Sequence, residues 1–87
     1  MRVTYRTTRV LAAIAAQPGL SNSEIGQRAG VNDQGQISKL LARLARLGLA
    51  ENVRAGQANG LPNAWQLTPR GKELERTVAQ DAGERSK

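Results

Sequence analysis

Between Gln34 and Arg46 the sequence reads Gln-Gly-Gln-Ile-Ser-Lys-Leu-Leu-Ala-Arg-Leu-Ala-Arg, so its polar members are amides, a hydroxyl and cations. Ile37, Leu40, Leu41, Leu44 and Leu47 recur at i, i+3, i+4, i+7 and i+10, the spacing of one helix face. At about 100° per residue, Gly35, Lys39, Ala42 and Arg46 project opposite that stripe. Gln36 and Arg43 flank them on one side and Ser38 on the other. The chemistry these groups offer is hydrogen bonding and charge neutralisation, which is recognition rather than bond breaking.

The rest of the chain points the same way. Cysteine and histidine are both absent. Their absence removes disulfides, thiolate nucleophiles, the usual zinc sites and histidine acid–base catalysis. No GxGxxG occurs, and no glycine-rich loop ends in Gly-Lys-Ser/Thr. Gly71-Lys72 is followed by Glu73. An enzyme is not expected, and no catalytic residue, metal or cofactor is assigned. With few aromatic residues, there is little from which to line an effector pocket.

Thirteen Lys and Arg against seven Asp and Glu leave a net charge of +6. The excess lies within residues 1–62. Such a balance favours nucleic acid or an acidic partner. The 87 residues, 39% hydrophobic, suit one small domain with a modest core. No apolar run approaches the roughly 18 residues of a bilayer span, and the N-terminus lacks a signal-peptide pattern. No membrane partner is expected. The expected location is cytoplasmic, with nucleoid association in a bacterium.

Several elements must position the polar face. Val10, Leu11 and Ile14 form one stripe of a first helix over about Thr7–Gln17, which Pro18-Gly19 ends. Ser21 and Glu24 make a capping box for a short second helix. Leu20 and Ile25 can staple it, Ile25 and Ala29 face the core, and Gly30 suits its left-handed terminus. Asn32 or Asp33 caps the third helix, which ends near Leu47 before Gly48. Leu49–Val53 and Ala64–Leu67 read as strands, with Trp65 and Leu67 sharing one face. Arg54 to Pro62 is the loop of a hairpin. Thr68-Pro69 starts a last helix whose sizeable apolar residues are Leu74 and Val78. The fold class is mainly α with a small β-hairpin: a three-helix core, a two-stranded wing and a C-terminal helix. One domain spans residues 1–79, and residues 80–87 form a polar, disordered tail.

A short helix, a tight turn, a longer helix and a two-stranded wing make the layout of a winged helix-turn-helix. Gln36-Ile-Ser-Lys-Leu-Leu-Ala-Arg-Leu-Ala-Arg-Leu-Gly-Leu49 resembles the recognition helix and first wing strand of MarR-like regulators. Leu67-Thr-Pro-Arg-Gly-Lys-Glu-Leu74 resembles that family's passage from second wing strand to following helix. The resemblance covers about Thr7 to Val78 and implies a DNA-binding transcriptional regulator. MarR-like dimers use long terminal helices, for which this chain has little apolar surface. The expected partners are therefore double-stranded DNA and either a second copy or a fused or separate dimerisation domain. Met1 is as compatible with an internal residue of a longer parent as with a true start.

On this layout the third helix enters the major groove, which admits an α-helix. Gln34, Gln36, Ser38 and Lys39 are the base-reading candidates: Gln suits adenine N6/N7, Lys suits guanine O6/N7 and Ser adapts. Gly35 would let the backbone approach the groove. Arg43 and Arg46 are phosphate candidates. Ser21, Asn22 and Ser23 join them through backbone N–H groups at the second helix's start. On the wing, Arg54, Gln57 and Asn59 are candidates for the flanking backbone or minor groove. Each has a plainer reading: a solvated helix face, a capping box, an ordinary loop. Trp65 reads as core. Tyr5 fits a core edge, a dimer contact or a linker, and Arg2, Arg6 and Arg9 meet phosphate or nothing. The alternative function is a winged-helix protein–protein interaction module without DNA binding. A docking face would be expected to carry more aromatic or leucine residues than this one. RNA binding ranks lower, because paired stacking aromatics are missing.

Overall fold

Thr4 opens the first helix by accepting a hydrogen bond at its side chain from the Thr7 backbone N–H. In this computed structural model, residues 4–54 and 63–85 are described, the last seven by backbone alone. The order is α1 (Tyr5–Ala16), α2 (Asn22–Ala29), α3 (Gln34–Arg46), β1 (Ala50–Asn52), β2 (Trp65–Leu67) and α4 (Pro69–Arg85). Helix α1 thus begins two residues ahead of the sequence expectation. The reason is local: Thr7, the expected start, is buried and hydrogen-bonded to Thr4 through their hydroxyls.

The other caps lie where side-chain chemistry places them. Ser21 and Glu24 close the capping box reciprocally, and Gly30 ends α2 at φ 75°, a left-handed conformation that costs glycine no Cβ clash. Of the two candidates for α3, Asp33 is the cap, accepting from the N–H groups of Gly35 and Gln36. Thr68 accepts from Gly71 N–H and so starts α4.

The core gathers one face of each helix. Val10, Leu11, Ile14, Leu20, Ile25, Ile37, Leu41 and Leu44 are almost fully buried. The α3 stripe is buried in its centre and looser at its edges. Leu40 is half-buried against the core, and Leu47 is 38% exposed. Both residues lie roughly 60–80° off the line of Ile37 at helical pitch. Leu47 also sits beyond the last helical turn, as the C-cap.

Strands β1 and β2 are antiparallel, pairing Ala50 with Leu67, Glu51 with Gln66 and Asn52 with Trp65. The other edge of β2 bridges to Leu20, through Trp65 N–H to Leu20 carbonyl and Gly19 N–H to Trp65 carbonyl. The turn between α1 and α2 therefore acts as a third short edge that fixes the wing base to the core. Trp65 and Leu67 are buried, as their shared face requires. The expected hairpin loop lies largely outside the described residues. The α4 backbone runs through residues 80–85, which the sequence alone assigns to the tail. Gln80, Ala82, Glu84 and Arg85 favour helix there, against the lower propensities of Asp81 and Gly83.

Candidate nucleic-acid interface

Burial of one α3 face leaves the other in solvent. Gln34, Gln36, Ser38, Lys39, Arg43 and Arg46 are all exposed. The four base-reading candidates thus share the first half of one helix, with the two arginines following toward its C-terminus. Gly35 is exposed as well, on the face expected of it.

Two of these side chains are held by partners far away in sequence. Arg6, at the start of α1, donates from Nη1 to Gln36 Oε1 at 2.9 Å. Asn22 donates from Nδ2 to Ser38 Oγ at 3.3 Å. The same Asn22 accepts at Oδ1 from Trp65 Nε1 at 2.6 Å and from Asn63 Nδ2 at 3.1 Å. Asn63 in turn accepts at Oδ1 from Asn52 Nδ2, and Asn52 Oδ1 accepts from the N–H groups of Arg54 and Ala64. One polar bracket therefore links the start of α2, the exposed face of α3 and both strands of the wing. A cleft of about 240 Å³ opens between the start of α1 and α3, with Arg6, Gln36, Lys39 and Arg43 on its wall.

The α2 start forms the expected capping box. Asn22's side chain serves the bracket, so only its backbone N–H is left to meet a phosphate. Ser21 N–H donates to Glu24 Oε1, and Ser21 Oγ accepts from Glu24 N–H. Hydrogen bonding from the Ser21 backbone N–H, and then from its hydroxyl, holds the exposed Glu24 carboxyl below the usual carboxylate range, helped by nearby Arg28. The positive end of α2 thus already faces a carboxylate. Ser23 is exposed.

On the wing, Arg54 is exposed and its backbone is fixed by Asn52. Gln57 and Asn59 lie outside the described residues. Tyr5 is 76% exposed, with the Arg9 guanidinium 5.6 Å from its ring centroid. Among the described residues no group of three or more His, Cys, Asp or Glu is placed to hold a metal ion. Nor is any described helix long and apolar enough to cross a membrane.

Sequence reasoning missed Arg6, Asn52 and Asn63. Arg6 shows only as one of several N-terminal cations. The asparagines carry no signal, because their partners are set by the chain's return path.

The sequence profile of the MarR family matches residues 3–58, more than half of the chain. The chain belongs to the MarR family. Solved structures agree with that membership. The PcaV transcriptional regulator of Streptomyces coelicolor superposes with a TM-score of 0.84 at 31% identity, covering 95% of this chain and 60% of that one. FabT of Streptococcus pneumoniae, solved in complex with DNA, gives 0.75 at 22% identity, with 91% of this chain and 54% of that one. ZitR of Lactococcus lactis, also in complex with DNA, gives 0.66 at 21% identity, with 98% and 63% covered. The last two are similar in fold. This MarR-family chain spans less than two thirds of the length of each of them. Comparison with curated proteins finds no match.

Proposed function

We propose that this chain is the DNA-reading module of a transcriptional regulator and has no catalytic role. Helix α3 enters the major groove with Gln34, Gln36, Ser38 and Lys39 toward base edges. Arg43 and Arg46 neutralise phosphates beside the groove. The wing, through Arg54, Gln57 and Asn59, follows the flanking backbone or minor groove. Of the candidates Ser21, Asn22 and Ser23 at the first turn of α2, the backbone N–H groups of Asn22 and Ser23 meet a phosphate, because that of Ser21 is held by the Glu24 carboxylate. Residues 1–79 are the unit that binds.

One observation carries this reading: a single exposed face of α3 holds an amide, a hydroxyl and three cations, and its opposite face is locked into the core. The family and the DNA complexes of similar folds support it. A protein-docking face would instead expose aromatic or leucine side chains.

A single module binds weakly at physiological salt. Stable occupancy needs two modules on half-sites about one helical turn apart, through a second copy or a separate dimerising segment. The test is titration of the chain into fluorescent duplex DNA at two salt concentrations, with light scattering on the same sample. The expected log–log salt slope is about −4 to −6. Absence of binding even at low salt overturns the reading in favour of a protein–protein module.

A further inference from the structure

We infer that the reading face of α3 is polarised toward hydrogen-bond donors and selects guanine, not adenine, in the major groove. This inference rests on the DNA-reading function proposed above and names its substrate more closely.

Two of the groups around α3 cannot accept a hydrogen bond, and they set the sense of their neighbours. A guanidinium has five N–H donors and no acceptor. The Gln36 atom that faces Arg6 is therefore its carbonyl oxygen, at 2.9 Å from Nη1. What Gln36 turns outward is its NH₂ group. Adenine recognition by glutamine needs the reverse pair, a carbonyl for N6–H and an N–H for N7. Arg6 occupies the carbonyl side, and its remaining N–H donors and positive charge oppose an approaching amino group. Guanine presents two acceptors, O6 and N7, to which the outward NH₂ group of Gln36 can donate.

Ser38 is oriented in the same way. An indole N–H only donates. Trp65 Nε1 therefore fixes the Asn22 amide with Oδ1 toward the tryptophan, at 2.6 Å. Asn63 Nδ2 donates to the same oxygen. Asn22 Nδ2 is then left to face Ser38, and Ser38 Oγ accepts from it. The Ser38 hydroxyl proton is spared for an outside acceptor. Lys39 has three donors and no acceptor. Gln36, Ser38 and Lys39 thus offer N–H or O–H outward, and the base edge richest in adjacent acceptors is guanine's. Arg6 and Trp65 act as positioning residues that set this polarity through Gln36 and Asn22.

The whole chain is used to select from a randomised duplex pool. Enriched sequences are expected to carry guanine, and replacing that guanine with 7-deazaguanine, which lacks the N7 acceptor, is expected to weaken binding about tenfold. Arg6→Ala frees the Gln36 carbonyl. It is expected to raise the affinity ratio of adenine to guanine about tenfold at one position, with the circular dichroism spectrum unchanged. A structural role alone would lower affinity for every duplex equally and leave that ratio fixed. Salt-sensitive binding with adenine preferred, without base preference, or with a ratio unmoved by Arg6→Ala overturns the inference and leaves the DNA-reading function standing. Absence of binding to any duplex overturns both.

Discussion

Trp65 and Asn22, 43 positions apart, are joined by a 2.6 Å hydrogen bond from the indole Nε1 to Oδ1. The bond ties β2 to the first turn of α2 and places a polar atom at the edge of the apolar cluster. Trp65 is only 6% exposed, so its N–H has little access to water once the partner is gone. Asn22→Ala is therefore expected to destabilise the fold by about 1–3 kcal/mol, the cost of an unsatisfied buried donor. Adding Trp65→Phe removes that stranded donor. The double variant should be more stable than the sum of the single losses. Urea denaturation of the four proteins measures this, and strict additivity would show that the two side chains are not coupled.

Gly71 tests how α4 is seated on the wing. A Cβ built at this position would overlap the carbonyl of Leu49. That carbonyl also accepts from Thr68 N–H at 3.1 Å, so it has no freedom to move aside. In an open helix, glycine to alanine gains about 1 kcal/mol from propensity. Here overpacking against backbone is expected to reverse the sign, with a loss of about 1–3 kcal/mol. For a domain of this size that lowers Tm by roughly 4–8 °C per kcal/mol. A thermal scan in which Gly71→Ala melts higher than the parent would contradict this seating of α4.

What the sequence discloses is what neighbours along the chain decide. Ser21 with Glu24, Gly30, Asp33 and Thr68-Pro69 act within a few residues, so the helix ends can be read directly. The Ile37 to Leu44 stripe follows from helical pitch alone, and it separates the polar face of α3 from the core. The start of α1 escapes such reading because Thr4 is a plain polar residue until the Thr7 side chain turns inward. The pairs Arg6–Gln36 and Asn22–Trp65 join residues brought together only by packing of the helices and the wing. Positions on α3 are thus legible, but the donor or acceptor sense of Gln36 and Ser38 is not. Adenine is the natural expectation for Gln36 until its carbonyl is found facing a guanidinium.

Glu24 gives the chain an acid-sensitive contact. Its bonds with Ser21, first the backbone N–H and then the hydroxyl, lower its pKa in the folded protein. A carboxyl whose folded pKa is depressed contributes stability above its unfolded value and loses it as pH falls through the folded value. Glu24→Gln keeps an acceptor at the third position of the box but carries no charge to titrate. The stability difference between parent and Glu24→Gln is expected to be present at neutral pH and to shrink through the acid range below the usual carboxylate pKa. Urea midpoints of both proteins across that range decide the matter. A difference that does not vary with pH would mean that the charge on Glu24 adds nothing to the cap.

Lys39 and Arg43 carry the prediction that bears most directly on function. Both are exposed on α3 and both border the cleft shared with Arg6 and Gln36, so their removal leaves the buried stripe untouched. Lys39→Ala combined with Arg43→Ala is expected to weaken duplex DNA binding at least about tenfold. For every phosphate that goes unneutralised, the log–log salt slope should also flatten by about 0.9. Where Lys39 reads a base, as proposed, its share of the effect depends on sequence and leaves the slope alone. Comparing the two single variants on one selected and one random duplex separates these roles. Undiminished affinity in the double variant, with an unchanged circular dichroism spectrum, would remove α3 from the interface.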